Sequence, residues 1–221
     1  SRLYKLVDNM WEAVSTDFFS GDLDNIEIAP SNNAIIYVSK AKNLFKSVDS
    51  GITFVQINND FNFFISSIAI NNQNSDIVYI TTSGFSGKVY QSLDAGENWV
   101  DITKNLPQEP KMVIKHQNRS LINDLYLGTS LGVYHINDNL NEWEVFDTNL
   151  PNVPIQDLEI NTDDKTITAG TYGRGVWQSS IEVIKANSDI SLLKINSNNT
   201  INCNGITPTI TIKNNGLNAF N

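Results

Sequence analysis

A repeat of about 44 residues is the feature that most constrains the fold of this chain. One series of aromatic residues, each opening a short apolar run, is spaced by 43, 45 and 44 residues: Trp11, Phe54, Trp99 and Trp143. A second series precedes it with nearly the same period: Tyr4, Phe45, Tyr90, Tyr134 and Trp177. Two registers that keep one period indicate a single supersecondary unit repeated along the chain.

Each unit contains four short runs rich in β-branched and aromatic residues. In one unit these runs cover residues 66–70, 76–81, 89–93 and 99–103, separated by glycine, asparagine, aspartate and serine. No window has the sustained 3.6-residue apolar period of an amphipathic helix. Four strands in about 44 residues are typical of a β-propeller blade. The sequence therefore predicts an all-β fold, a partial β-propeller of four-stranded blades.

A turn motif recurs between the third and fourth predicted strands. Its two well-formed copies have the same residue types at the same spacing: Ser47, Asp49, Gly51 and Phe54, then Ser92, Asp94, Gly96 and Trp99. They resemble the Asp-box of sialidase-type and sortilin-like propellers. In such a turn the aspartate caps backbone N–H groups, the glycine takes a positive φ and the aromatic residue packs between strands. The resemblance implies a structural turn, on the face away from the usual ligand site.

A third copy of the motif is degraded. Asp138 and Trp143 keep their places, but Leu140 stands at the glycine position. The copy around Asp8 and Trp11 is two residues short.

The strand count predicts the domain organisation. Residues 1–180 form the C-terminal blades of a propeller with an incomplete first blade, residues 181–188 a polar linker, and residues 189–221 the first strands of another module. Residues 1–16 supply two strands and residues 155–180 supply three, so this stretch does not complete a ring. We expect further blades upstream, with a four-bladed ring as the alternative.

Two segments resemble parts of bacterial surface proteins. Residues 169–177, Ala-Gly-Thr-Tyr-Gly-Arg-Gly-Val-Trp, resemble the final blade of secreted propellers, including xyloglucanase-like ones. Residues 189–216 resemble the opening of an immunoglobulin-like module of the cell-adhesion-related (CARDB-like) type. Together with an Asn/Ile/Lys-rich composition, they are similar to surface proteins of the Bacteroidetes. The resemblance implies an extracellular or cell-surface location and export by type IX-like secretion machinery.

Charge and composition exclude several partners and sites. The net charge of −9 opposes binding to nucleic-acid phosphates. No apolar stretch approaches the ~18 residues of a transmembrane helix, so no direct membrane insertion is expected. Cys203 is the single cysteine, and His116 and His135 lack the neighbouring ligands of a metal site. No metal or cofactor is therefore expected.

Catalytic residues stay unassigned. Sialidases need three arginines around the substrate carboxylate; this chain has Arg2, Arg119 and Arg174, and nothing in the sequence places them on one face. Xyloglucanase-like hydrolases use two aspartates across a cleft, and no aspartate here matches their motifs. Whether the protein is an enzyme is left open; if it is one, a glycoside hydrolase is expected.

Candidate ligand-binding residues lie in the loops at one end of the predicted blades. Phe85 and Tyr172 stand in glycine-flanked loops, where an aromatic ring could stack on a sugar, and Arg174 is close to Tyr172. Three further candidates lie in loops that lead into inner strands: Asp22, Asp60 and Phe61. The leading prediction is a secreted or surface-bound adhesion module for a glycan or protein ligand. The alternatives are the C-terminal part of a propeller glycoside hydrolase and a spacer.

Overall fold

The computed structural model describes residues 2–15, 21–57, 61–183, 190–196 and 209–214. In these ranges every regular element is a strand, and no helix occurs. The prediction of an all-β fold is confirmed. By contact density the chain divides into two compact units, Ser1–Glu182 and Val183–Asn221.

The first unit contains three antiparallel sheets of four strands, each formed by consecutive strands. The first comprises β3 (Asn25–Ile28), β4 (Ile36–Lys40), β5 (Asn43–Ser47) and β6 (Val55–Ile57). The second comprises β7 (Ile65–Ile70), β8 (Val78–Thr82), β9 (Val89–Ser92) and β10 (Val100–Asp101). The third comprises β11 (Lys111–His116), β12 (Leu125–Thr129), β13 (Val133–Ile136) and β14 (Glu144–Val145).

Incomplete sheets lie before and after these three. The hairpin β1 (Tyr4–Val7) and β2 (Met10–Ala13) precedes them. The three-stranded sheet β15 (Ile155–Asn161), β16 (Thr166–Thr171) and β17 (Gly175–Ser180) follows them. In the second unit, β18 (Ile190–Asn196) pairs antiparallel with β19 (Thr209–Asn214).

The first strands of successive sheets, β3, β7, β11 and β15, contact one another in chain order. Apolar side chains fill the space between neighbouring sheets. One cluster lies between the first and second sheets and includes Tyr37 and Ile68. Another lies between the second and third sheets and includes Tyr79 and Leu127. Face-to-face packing of consecutive four-stranded sheets around their first strands is the arrangement of propeller blades.

The two turns at Asp49 and Asp94 have the same hydrogen bonds. Ser47 Oγ donates to Asp49 Oδ1 (2.8 Å) and accepts from the Gly51 N–H (2.9 Å), and the Thr53 N–H and Oγ1 donate to Asp49 (2.9 and 2.6 Å). The second turn repeats these bonds through Ser92, Asp94, Gly96 and Asn98. Gly51 and Gly96 have φ of +88° and +95°, and a β-carbon on either would collide with a side chain of the preceding sheet, Leu3 or Ile57.

The turn at Asp138 is built differently. Asp138 Oδ2 accepts a hydrogen bond from Nδ2 of Asn123 (2.6 Å), which lies in the loop before β12. Ile136 occupies the position of the motif serine, so the turn has no hydroxyl to hold the aspartate. Trp143 nevertheless packs in the core, where its indole N–H donates to the Ile102 carbonyl (2.9 Å). The aromatic part of the motif is thus independent of the aspartate part.

The repeated turns predict an acid-sensitive fold. Hydrogen bonds from Thr53 and Asn98, followed by those from Ser47 and Ser92, lower the pKa of Asp49 and Asp94 to about 2. Since the folded pKa is below the ordinary carboxyl value of about 4, the contribution of these turns to stability is present above pH 4. It is lost as the pH falls towards 2. We expect the urea midpoint of the native chain to fall over this range more steeply than that of the Asp49→Asn/Asp94→Asn double variant. Parallel curves would contradict the assignment.

The part of one face of the first four-stranded sheet that lies on β3 is exposed. Ile26 and Ile28 are each 48% exposed, whereas Ile68 and Ile70, at the same positions of the next sheet, are 5% and 2% exposed. In the second sheet these positions pack against the preceding sheet. The face that carries Ile26 and Ile28 therefore has the apolar character of an interface between blades.

Candidate functional site

The candidate site lies at the end of the blades where the second strand turns into the third, which we call the rim. In three blades a residue of this turn donates its backbone N–H to the carbonyl of a residue that precedes the first strand. The pairs are Ser83 and Phe64 (2.8 Å), Ser130 and Pro110 (3.2 Å), and Tyr172 and Pro154 (2.9 Å). These bonds hold the two kinds of loop together, so both belong to one surface in each blade.

Each of these loop pairs presents an exposed apolar side chain. Phe85 is 72% exposed, Leu131 54% and Tyr172 70%, and Phe64 adds a further ring at 63%. A row of exposed apolar tips on successive blades is a surface that favours contact with a ligand.

The loop that carries Phe85 is tightly organised. The Gly87 N–H donates to the Gly84 carbonyl (2.9 Å), and the Lys88 N–H donates to Thr82 Oγ1 (2.8 Å). Gly84 has φ of +89°, and the ring of Phe63 packs against it. A β-carbon on Gly87 would lie 2.2 Å from the Thr82 carbonyl oxygen. Phe85 is consequently displayed on a loop whose backbone is already in place, which lowers the entropic cost of binding.

The Tyr172 loop is more open. Thr171 Oγ1 donates to the Gly175 carbonyl (2.6 Å), and the indole N–H of Trp177 donates to the Arg174 carbonyl (3.0 Å). A β-carbon on Gly173 would meet no atom within 4 Å. Tyr172 and Arg174 are both exposed. The loop therefore presents a ring and a guanidinium group with few neighbouring side chains.

A polar cleft opens beside the Phe85 loop, and we call it the rim cleft. Its volume is about 450 Å³. The lining residues come from the Phe85 loop and from the segment after β10: Ser86, Gly87, Lys88, Asp101, Thr103, Lys104, Leu106, Pro107 and Gln108. Lys88 Nζ and Asp101 Oδ2 form an exposed ion pair at 2.9 Å. Hydrogen bonding to this carboxylate and its charge raise the pKa of Lys88.

Buried charged groups support the neighbouring part of the rim. Lys111, the first residue of β11, is buried, and its Nζ donates to the carbonyls of Pro107 (2.6 Å) and Glu109 (2.7 Å). Ser130 Oγ donates to the buried carboxylate of Glu109 (2.8 Å). Burial lowers the pKa of Lys111. These contacts tie the cleft wall to the turn of the third blade.

The predicted candidates are distributed unevenly. Phe85, Tyr172 and Arg174 lie exposed at the rim, and Asp22 is exposed in the loop before β3. Asp60 lies outside the described residues. Phe61 belongs to the core: it is 4% exposed and packs against Tyr90 (ring centroids 5.1 Å apart) and Trp99 (5.5 Å). Its neighbours Phe63 and Phe64 reach the surface instead, because the chain turns outward before β7.

Threonines at the ends of the second strands were missed by sequence reasoning. Thr82 accepts from the Lys88 N–H, and Thr129 Oγ1 accepts from Leu131 and Gly132 at 3.2 Å and donates to the Gly132 carbonyl. Thr171 bonds to Gly175 in the same way. In each unit the threonine is followed within a few residues by a glycine, and this pattern could have identified the loop. Its irregular spacing obscured it among the many other threonines.

A second groove lies at the opposite end of the inner strands. It has a volume of about 230 Å³ and is lined by residues that include Glu27, Lys115 and Glu159. Burial raises the pKa of Glu27, Lys115 opposes this shift, and Glu159 adds to it. Among the described residues, no group of three His, Cys, Asp or Glu side chains could hold a metal ion. The same residues include no helix with the length and hydropathy needed to cross a membrane.

Solved structures similar to this chain are β-propeller proteins. A GH74 enzyme from Niastella koreensis has a TM-score of 0.58 and 15% identity over 72% of this chain and 28% of its own. The GH74 xyloglucanase from Xanthomonas campestris has a TM-score of 0.55 and 13% identity over 72% and 29%. The extracellular domain of a putative hybrid two component system from B. thetaiotaomicron has a TM-score of 0.60 and 18% identity over 86% and 26%.

These likenesses show the fold of the chain. No protein-family model matches the sequence, and no curated protein matches it. The chain spans between about a quarter and a third of the length of the similar structures.

Proposed function

We propose that this chain contributes blades to an extracellular β-propeller that binds a glycan at its rim without cleaving it. The observation that carries the proposal is the rigid display of Phe85 beside the rim cleft. Exposed aromatic rings can pack on the apolar faces of sugars. The Lys88–Asp101 pair and the side chain of Gln108 offer donors and acceptors for sugar hydroxyls.

The row of exposed tips supports a ligand with several sugar units. Phe64, Phe85, Leu131 and Tyr172 belong to loops on three successive blades. An extended oligosaccharide can contact several such tips at once, and each contact adds to affinity. The open apolar face at Ile26 and Ile28 supports the presence of at least one further blade beside this chain in the whole protein.

Glycan binding predicts a large effect of removing one ring. We expect Phe85→Ala to weaken binding of the oligosaccharide that the native chain selects on an array of immobilised neutral and acidic glycans. A loss of about tenfold is expected, since a stacked ring supplies on the order of 1 kcal/mol beyond its buried area. Leu93→Ala is the matched control, because Leu93 is also exposed (63%, against 72% for Phe85) and lies in a turn at the opposite end of the same blade. Equal affinity of native chain and Phe85→Ala would defeat the proposal.

A propeller hydrolase is the second candidate, favoured by the GH74 neighbours. Incubating the native chain with xyloglucan and analysing the products by mass spectrometry separates the two. If the native chain shortens the xyloglucan, and a variant that lacks a rim carboxylate does not, the protein is a hydrolase. Binding with an intact polymer is the outcome expected for the adhesion module, including one attached to the cell surface after export by type IX-like machinery.

A further inference from the structure

Two aromatic residues from neighbouring strands belong to one apolar cluster in every complete blade. The residue that opens the fourth strand shares an apolar cluster with the residue of the third strand. The pairs are Phe54 with Phe45, Trp99 with Tyr90, and Trp143 with Tyr134. The two aromatic series of the repeat therefore mark one apolar cluster, formed once for each complete blade.

The sheet β15–β17 has the third-strand member of this pair but, among the described residues, no fourth strand. Trp177 occupies the position of Tyr134, since Ala169 pairs with Trp177 as Leu127 pairs with Tyr134. All six residues of β17 are exposed, and Trp177 itself is 40% exposed. One edge of β17 pairs with β16, and the other edge faces no strand of the described chain.

An open cleft of about 130 Å³ adjoins Trp177, and we call it the β17 cleft. Its lining includes Phe146 and Leu150 from the segment after β14. These residues have counterparts one repeat earlier in Ile102 and Leu106, which pack around Trp143 in the core. Phe146 and Ile102 are equivalent because the backbone N–H of each donates to the carbonyl of the first residue of the third strand in its blade. The β17 cleft is therefore the counterpart of the space that Trp143 fills in the preceding blade.

An asparagine beside the cleft repeats a second part of this contact. In the preceding blade Asn105 Oδ1 accepts from the Trp143 N–H (2.8 Å) and Asn105 Nδ2 donates to the Trp143 carbonyl (2.9 Å). Asn149 stands in the same Asn-Leu-Pro sequence as Asn105 and is exposed. Its amide is exposed for the same kind of contact, although the positive φ lies at Asn149 in this turn and at Lys104 in the earlier one.

We infer that β17, Asn149 and the β17 cleft form a docking site for a fourth strand of the chain's own repeat type, an extended segment that opens with a tryptophan or phenylalanine. The strand pairs with the free edge of β17, its aromatic ring enters the cleft against Leu150 and Trp177, and Asn149 binds its backbone on both sides. Strand addition supplies main-chain hydrogen bonds, and the ring supplies the selectivity for sequence. The site adjoins the Tyr172 loop through the Trp177–Arg174 hydrogen bond, but its ligand is an extended polypeptide and not the glycan of the proposed function.

The test uses the full 221-residue chain and a fluorescent peptide with the sequence of residues 139–147, Asn-Leu-Asn-Glu-Trp-Glu-Val-Phe-Asp. We expect saturable binding by fluorescence anisotropy, together with slower amide hydrogen exchange in Val176–Gln178. The peptide with the Trp143→Ala change should bind at least about tenfold more weakly, as for a buried tryptophan anchor. Because this change is in the peptide, the folded chain is unaltered in the comparison.

Variants of the chain locate the contact. Asn149→Asp removes the amide donor at a position with φ of +65° that aspartate tolerates, and about a threefold or greater loss of affinity is expected. Leu121→Ala, an exposed leucine elsewhere, is the control for Leu150→Ala. Three results would each overturn the inference: no binding up to about 1 mM peptide, equal binding of the two peptides, or concentration-dependent protection of β17 without peptide, which would assign the edge to a second copy of the chain.

Discussion

Replacing Trp143 with alanine is expected to lower the free energy of unfolding by about 3–5 kcal/mol. Trp143 is 3% exposed, and its ring shares a cluster with Leu106, Leu127 and Tyr134. The substitution leaves a cavity between two sheets and removes the indole hydrogen bond to the Ile102 carbonyl. Urea denaturation followed by circular dichroism measures the loss.

Trp11 is the matched control for this experiment. It has the equivalent place in the repeat but is 70% exposed on the first hairpin. We expect Trp11→Ala to change the unfolding free energy by no more than about 0.5 kcal/mol. Similar losses for both tryptophans would mean that burial between sheets is not the source of the stabilisation.

Alanine at Gly87 is expected to abolish glycan binding at the rim and to cost about 3 kcal/mol of stability. The new β-carbon would lie 2.2 Å from the Thr82 carbonyl oxygen and 3.0 Å from that of Gly84. Both atoms belong to the backbone, so they cannot rotate away as a side chain would. The loop must change conformation, and Phe85 then loses its position beside the rim cleft.

Gly173→Ala provides the comparison. Gly173 has φ of +72° in the Tyr172 loop, and a β-carbon there meets no atom within 4 Å. Only the intrinsic cost of the left-handed conformation applies, about 1–2 kcal/mol. Thermal unfolding and array binding should separate the two variants. If Gly87→Ala binds glycan as the native chain does, the rigid loop is not the determinant of binding.

The repeat was sufficient to predict the strands because a blade is a local structure. Residues 76–81, for example, combine β-branched and aromatic side chains between turn residues, and four of them, 78–81, lie in β8. The turns at Asp49 and Asp94 are equally local, since the hydrogen bonds of their serine and aspartate side chains join residues no more than four positions apart.

The candidate site was only partly predictable. Glycines on both sides of Phe85 and Tyr172 indicated loops, and both rings are exposed. The sequence did not distinguish Phe61 from Phe64, because three phenylalanines within four residues show no periodicity that would assign one of them to the core. The choice depends on Tyr90 and Trp99, which reach Phe61 from strands that lie well beyond it in the chain.

The amino-acid sequence by itself determined the strands, the repeat and the turns, because short-range spacing and backbone preference are enough to specify them. Tertiary structure alone decided which equivalent positions are buried. Ile26 and Ile68 have the same place in the repeat, yet one is half exposed and the other is in the core. Tyr134 and Trp177 also have the same place in the repeat, but β14 pairs with the strand of Tyr134, whereas no fourth strand of the described chain pairs with the strand of Trp177. Burial depends on which sheet packs against each face, and that neighbour is supplied by residues about one repeat away along the chain.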